Sequence, residues 1–188
     1  MRVSKEVMEA NNARIVTEAA RIIREKGIEA TSVAEVMAAA GLTHGGFYRH
    51  FASKEELVCA AIKKAFNELV NELEKAIERQ GAKPAIGDFV QKYLSEHHVA
   101  NPGIGCPIAA LSGEIDRKLG VYQKEIDRGA GHLITLFTQG IDGEVSEKGR
   151  KATGLLAVLV GTLVLARSAR TKSRMKEILV SGRQLAEL

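Results

Sequence analysis

The chain has 188 residues, 45% of them hydrophobic and 27% charged, so it can bury a sizeable core and falls outside the disordered class. Three prolines, two widely spaced cysteines and many Ala, Glu, Lys and Leu residues exclude a disulfide scaffold and predict an all-α chain in a reducing compartment. A formal net charge of +4 permits a nucleic-acid partner without requiring one.

The first apolar stripe, Ile15, Ala19, Ile22 and Ile23, recurs at helical spacing and predicts a helix over about residues 8–26. Gly27 closes it, and Ile28 can fold back on the stripe. Ser32 and Glu35 have capping-box spacing and open a short second helix, about 32–39, with Val33, Val36 and Met37 inward. Gly41 breaks it. Thr43 stands where it can cap a third helix over 43–50. Ser53 and Glu56 form a second capping box at the head of a long helix carrying Ile62, Phe66, Leu69, Leu73 and Ile77, which ends near residue 80. Residues 81–84 are the clearest break. Helical patterns resume over 84–98, 106–117, 119–141, 147–170 and 172–188, and no segment alternates at period two.

The longest uncharged run, 154–166, is shorter than the ~20 apolar residues of a membrane span and reads as a buried helix. The N-terminus shows no apolar signal-peptide core, so a cytoplasmic location and no membrane partner are expected.

Two short helices around a glycine turn are the pattern of a helix-turn-helix, whose second helix enters the DNA major groove with its N-terminal residues at the base edges. Thr43 and His44 are polar and begin that helix. Gly45 and Gly46 leave no side-chain bulk between backbone and DNA, yet glycine costs a helix roughly 1 kcal/mol each, so stability alone would not choose the pair. Phe47 and Phe51 can anchor from behind while Tyr48, Arg49 and His50 point elsewhere. Lys54 starts the next helix, where amides and a cation can hold a phosphate together.

The stretch from Thr31-Ser32-Val33-Ala34-Glu35-Val36 through Ala40-Gly41-Leu42-Thr43-His44-Gly45-Gly46-Phe47-Tyr48-Arg49-His50-Phe51-Ala52-Ser53-Lys54-Glu55-Glu56-Leu57 resembles the signature of the TetR family, over about residues 10–58. The resemblance implies base-edge contacts from Thr43, His44, Gly45 and Arg49. It implies phosphate contacts from Ser32, Tyr48, His50 and Lys54, with Val33 in the same DNA-binding set. It further implies an all-α fold with a three-helix head, about 1–54, and a helical body for ligand binding and dimerisation, 55–188. The function it implies is a homodimeric transcriptional regulator, a repressor released from a palindromic double-stranded operator by a small-molecule effector, without a cofactor.

In the body, Gly105-Cys106-Pro107-Ile108-Ala109-Ala110-Leu111 followed by Gly113-Glu114-Ile115 resembles a subset of such regulators and names no ligand. Phe89, Tyr93, His97, Cys106, Leu111 and Phe137, with the glycine-loosened helix around Gly129 and Gly131, are candidate pocket walls; ordinary core is the alternative for each. Cys106 precedes Pro107 at a helix start, a place that can lower a thiol pKa, so an electrophile- or oxidant-sensing repressor is the alternative mechanism. Its apolar followers argue for burial instead, and Cys59 reads as packing.

His97 and His98 are adjacent and cannot share a helix face. A metal site from one of them with Cys106 and His132 is a minor alternative to none. No nucleophile–base–orienter set and no phosphate-cradling glycine loop appears, so an enzyme is a distant alternative and a purely structural helical dimer a third. Leu155, Leu156, Val158, Leu159, Leu163 and Val164 form a surface too apolar to be solvated in a monomer, and Gly154 and Gly161, seven apart, can let partner backbones approach. The last two helices are therefore expected at the dimer interface.

Overall fold

A computed structural model of the chain describes residues 4–115 and 119–187. Among the described residues nine α-helices follow one another: α1 Lys5–Lys26, α2 Val33–Ala39, α3 Lys54–Gln80, α4 Ala82–Tyr93, α5 Glu96–Ala100, α6 Pro107–Ile115, α7 Leu119–Thr138, α8 Val145–Ser168 and α9 Lys172–Leu185. Two 3₁₀ segments join them, His44–Arg49 before α3 and Pro102–Ile104 before α6. No strand occurs among the described residues, as the composition and periodicity predict. The continuation of α6 to residue 117 expected from the sequence lies outside the described residues.

Serines and a threonine start most of the helices. The side chains of Ser4, Ser32, Ser53, Ser95 and Thr171 each accept an amide of the first turn, which satisfies a donor that the helix itself cannot. At Ser53 the box is completed by Glu56, whose carboxylate accepts the Ala52 amide at 2.7 Å. Ser95 is the cap that the sequence reading overlooked. It ends α4 at Tyr93 and opens α5, where one continuous helix over 84–98 is expected.

The head is α1, α2 and the 44–49 segment. Ile15, Ala19, Ile22 and Ile23 of α1 bury against Val36 and Met37 of α2 and against Phe47 and Phe51. α3 leaves the head and runs through the body, packing on α1 at one end and along α7. Gly129 shows how tight that crossing is: a methyl there would run into the ring of Phe66. Gly129 is thus a packing requirement of the α3–α7 contact, whereas Gly131 faces open space.

α8 spans 24 residues and, by length and composition alone, is long and apolar enough to cross a membrane; the uncharged run sits inside a longer helix. Its Leu155, Leu156, Leu159, Thr162, Leu163 and Ala166 are buried within the chain, against α7 and α9, which is the place of a core helix. Four leucines expected at the dimer interface, Leu155, Leu156, Leu159 and Leu163, are therefore core of the protomer. The opposite face of α8 is the uncovered one. Gly154, Ala157, Gly161, Val164, Leu165 and Ser168 are exposed, in one stripe at spacings of three, four and one. Val180 and Leu185 of α9 are exposed as well.

Candidate nucleic-acid interface and body cavity

The turn between α2 and the 44–49 segment is set by hydrogen bonds. Gly41 takes a φ of 70°, its amide donates to the Ala38 carbonyl at 3.0 Å, and the Leu42 amide reaches back to Met37 at 2.9 Å. This closes α2 with a left-handed residue that glycine adopts without strain. Residues 44–49 then form a 3₁₀ helix rather than the α-helix expected. Two consecutive glycines lower helix propensity, and the segment is short enough for the tighter geometry to compete. Thr43 is extended and precedes the segment, but its side chain makes no capping bond, so its hydroxyl stays available outward.

Phe47 carries the segment. It is buried, stacks on Phe51 with centroids 5.8 Å apart, and meets Tyr48 edge-on at 5.2 Å. With that ring turned inward, Thr43, His44, Gly45, Tyr48 and Arg49 are exposed and His50 is half-buried; Tyr48 is 74% exposed. Nothing lies within 4 Å of a methyl placed on Gly45. Ser32 and Val33 at the start of α2 and Lys54 at the start of α3 line one crevice. The Ser32 hydroxyl accepts the Glu35 amide at 3.2 Å, and the Glu35 carboxylate pairs with Lys26 at 2.6 Å. That cation, with the Ser32 amide, holds the Glu35 carboxyl below its usual range. Every residue that the sequence singles out for DNA thus lies in the head or at its junction with α3, and together they present polar groups and helix-start amides around one protruding segment.

The body holds a cavity of about 460 Å³ between α1, α3, α4 and the 103–105 turn, within the size range of small-molecule sites. Leu69, Phe89, Tyr93 and Ile104 give it apolar wall, and Thr17, Arg21, Arg24, Glu68, Glu72, Lys92, His97 and His98 give it polar groups. Of the six residues proposed from sequence, Phe89, Tyr93 and His97 line it. Cys106, Leu111 and Phe137 are buried outside its wall, Phe137 packing edge-on against Phe89.

Arg24 and His98 are the polar anchors beside this cavity, and sequence reading found neither role. Arg24 is buried and each of its three nitrogens is engaged: it donates to the Ala20 carbonyl at 2.8 Å, to the Gly105 carbonyl at 2.9 Å and to Glu68 at 3.1 Å. Burial lowers its pKa, with Glu68 pulling the other way. His98 Nδ1 lies 2.7 Å from the Tyr93 carbonyl, and the Cys106 amide donates to Nε2 at 3.0 Å. A carbonyl only accepts and an amide only donates, so the neutral ring carries its proton on Nδ1. Gly105 is the one legible signal of this arrangement, since a side chain there would strike the His98 ring. His132 lies instead 3.2 Å from Glu74. Among the described residues no three metal-ligating side chains come together.

Burial, opposed by the Tyr93 carbonyl and reinforced by Arg167, His97 and Arg24, lowers the His98 pKa to about 4, against about 6.5 in an unfolded chain. A base depressed by folding stabilises the native state fully above its unfolded pKa and loses that contribution as pH falls through the window. Unfolding free energy from denaturant titration should therefore fall between about pH 6.5 and 4, and His98→Gln should flatten that part of the profile. An unchanged slope in the variant would assign the acid sensitivity elsewhere.

The Cys106 thiol has no exposed surface. Burial pushes its pKa up, outweighing Tyr93 and the amides of Ile108 and Ala109 that pull it down. The α6 start does act in the direction expected from sequence; desolvation is the larger effect.

A capped two-helix unit that presents a short exposed segment on an aromatic anchor, ahead of a helical body with its own cavity, defines a helix-turn-helix protein. Residues 15–61 match the family model described as bacterial regulatory proteins, tetR family. The head of the chain is thus that of the TetR family, and over the rest the likeness is one of fold. It is 34% identical over 111 residues to an uncharacterized HTH-type transcriptional regulator of Mycobacterium tuberculosis, an alignment covering 57% of this chain and 54% of that protein. The chain thus spans about half the length of the curated relatives it matches. Its fold resembles a TetR transcriptional regulator of Chloroflexus aurantiacus, with 25% identity, a TM-score of 0.75 and 95% of each chain covered. It also resembles the reduced form of NemR from Escherichia coli, with 19% identity, a TM-score of 0.76 and coverage of 93% and 96%. The Mycobacterium and Chloroflexus proteins are both named as transcriptional regulators.

Proposed function

We propose that the chain is a homodimeric transcriptional repressor of the cytoplasm that binds a two-fold operator through the 43–50 segment and lets go when a small molecule occupies the body. The exposed recognition segment held by Phe47 is the observation that carries this reading. Thr43, His44, Gly45 and Arg49 sit where base edges are read; Ser32, Tyr48, His50 and Lys54 surround them where phosphates run, beside Val33. The second copy covers the stripe of Gly154, Ala157, Gly161, Val164 and Leu165 on α8 together with Val180 and Leu185 of α9. Two-fold pairing then sets two segments for half-sites about 34–36 Å apart or a multiple.

The effector site on this reading is the cavity walled by Leu69, Phe89, Tyr93 and His97. The Tyr93 hydroxyl is buried beside the Cys106 thiol, which lies outside the cavity wall. Because binding is reciprocal, operator DNA weakens the effector by the factor by which the effector weakens DNA. The domain division at residue 54 falls on the first residue of α3, the helix shared by both parts. A thiol sensor would need a reagent to reach a sulfur with no exposed surface, so the non-covalent effector is carried forward.

The test is gel-shift titration of operator and random duplexes across salt, the operator being recovered by genomic selection. Lys54→Ala should weaken both DNAs alike and lower the salt slope by about one. His44→Ala should cost operator binding alone, by about 1–3 kcal/mol for a base contact. Equal loss on both duplexes for His44→Ala removes it from base readout, and failure of the wild type to select any DNA refutes the reading.

A further inference from the structure

We infer that Glu114 of α6 is the residue that positions the DNA-binding head on the body, a role that rests on the DNA-binding reading above. Its carboxylate accepts the backbone amides of Ile28 at 2.8 Å and Glu29 at 3.1 Å. These amides lie 85 and 86 residues away in sequence, in the connection between α1 and α2. Two amides on one carboxylate are charge-assisted bonds, stronger than neutral ones.

Two features set this contact apart from incidental packing. Gly27 has a φ of 91°, and any side chain there would overlap the Glu114 carboxylate; the turn both closes α1 and leaves room for the contact. The connection itself is stiff. The Thr31 hydroxyl donates to the Gly27 carbonyl at 2.6 Å, and Ser32 then caps α2. A shift imposed on Ile28 and Glu29 is therefore passed to α2 and the recognition segment rather than absorbed.

The other end of the same segment borders the cavity. Gly103, Ile104 and Gly105 line it, the Gly105 carbonyl holds Arg24 of α1, and α6 follows immediately. Across the nine residues of α6, roughly 13 Å at helical rise, a displacement of the cavity wall reaches the end of α1 through one rigid rod. Glu114 is its point of attachment to the head.

The experiment uses the full chain, Glu114→Ala and Glu114→Gln. Hydrogen exchange is followed at Ile28 and Glu29, and affinity is measured for the selected operator and for a random duplex. Glu114→Ala should speed exchange at those two amides by about tenfold or more, leaving α8 and α9 unchanged. Operator affinity should fall by about fivefold or more, with random-duplex affinity held, because only paired half-sites need a fixed head. Glu114→Gln, whose amide oxygen still accepts, should lie between wild type and alanine on both measures. Unchanged exchange in Glu114→Ala overturns the contact, and faster exchange with unchanged or equally reduced binding to both duplexes overturns the positioning role. Failure of wild type to select DNA would refute the DNA-binding reading on its own, visible apart from the exchange result.

Discussion

Phe47→Ala is expected to abolish operator binding while leaving the body folded. The ring is buried and packs on Phe51, Tyr48 and the α1–α2 core. Truncating a buried phenylalanine costs about 3–5 kcal/mol, comparable to what a small three-helix unit holds in total. The recognition segment has little else to hold it, because its two glycines contribute no buried side chain and Thr43 makes no cap. Circular dichroism melting should show an early loss of part of the helical signal ahead of the main transition, and gel shifts should show no specific complex. A variant that binds operator at wild-type affinity would mean that the segment is held by something other than this ring.

The second large effect is expected at α8. Leu165→Glu and Gly161→Glu place a charge on the exposed stripe, where Leu165 is 58% exposed and Gly161 has open space around it. Neither disturbs the protomer core, so melting should stay within about 0.5 kcal/mol of wild type at low protein concentration. Sedimentation should show a folded monomer, since the charge is buried without a partner only in the dimer. Operator affinity should fall by roughly 10²–10⁴, the advantage lost when two half-sites are no longer bound by one particle. Leu159→Glu, by contrast, should unfold the chain itself, because Leu159 is fully buried in the protomer. Tight dimers of both Leu165→Glu and Gly161→Glu would move the interface off this face.

Why Leu159 reads so differently from Leu165 explains what was legible in the sequence. A helix apolar on most of its circumference says that two faces are covered, but not which one is covered by its own chain. In α8 both faces are apolar, and periodicity alone cannot separate the Leu155–Leu159–Leu163 side from the Gly154–Gly161–Leu165 side. Where polarity does alternate, as in α1 with Ile15, Ala19, Ile22 and Ile23, the buried face was legible residue by residue. The capping serines at 32 and 53 marked the helix starts to within a residue, because the chemistry of a cap is local. Ser95 was missed because the apolar pattern runs on across it. Arg24, His98 and Glu114 were missed for a further reason: their partners at Gly105, Cys106 and Ile28 are brought to them only by the fold. The only local traces were the glycines at 105 and 27, which make room for them.

The bare surface at Gly45 bears on how such a protein could change its target. A methyl group there meets no atom of the free protein within 4 Å, and replacing glycine removes backbone freedom from the unfolded chain rather than adding strain to the native one. On the proposed DNA-binding reading, a new side chain at position 45 would be limited by contact with DNA rather than by the protein scaffold.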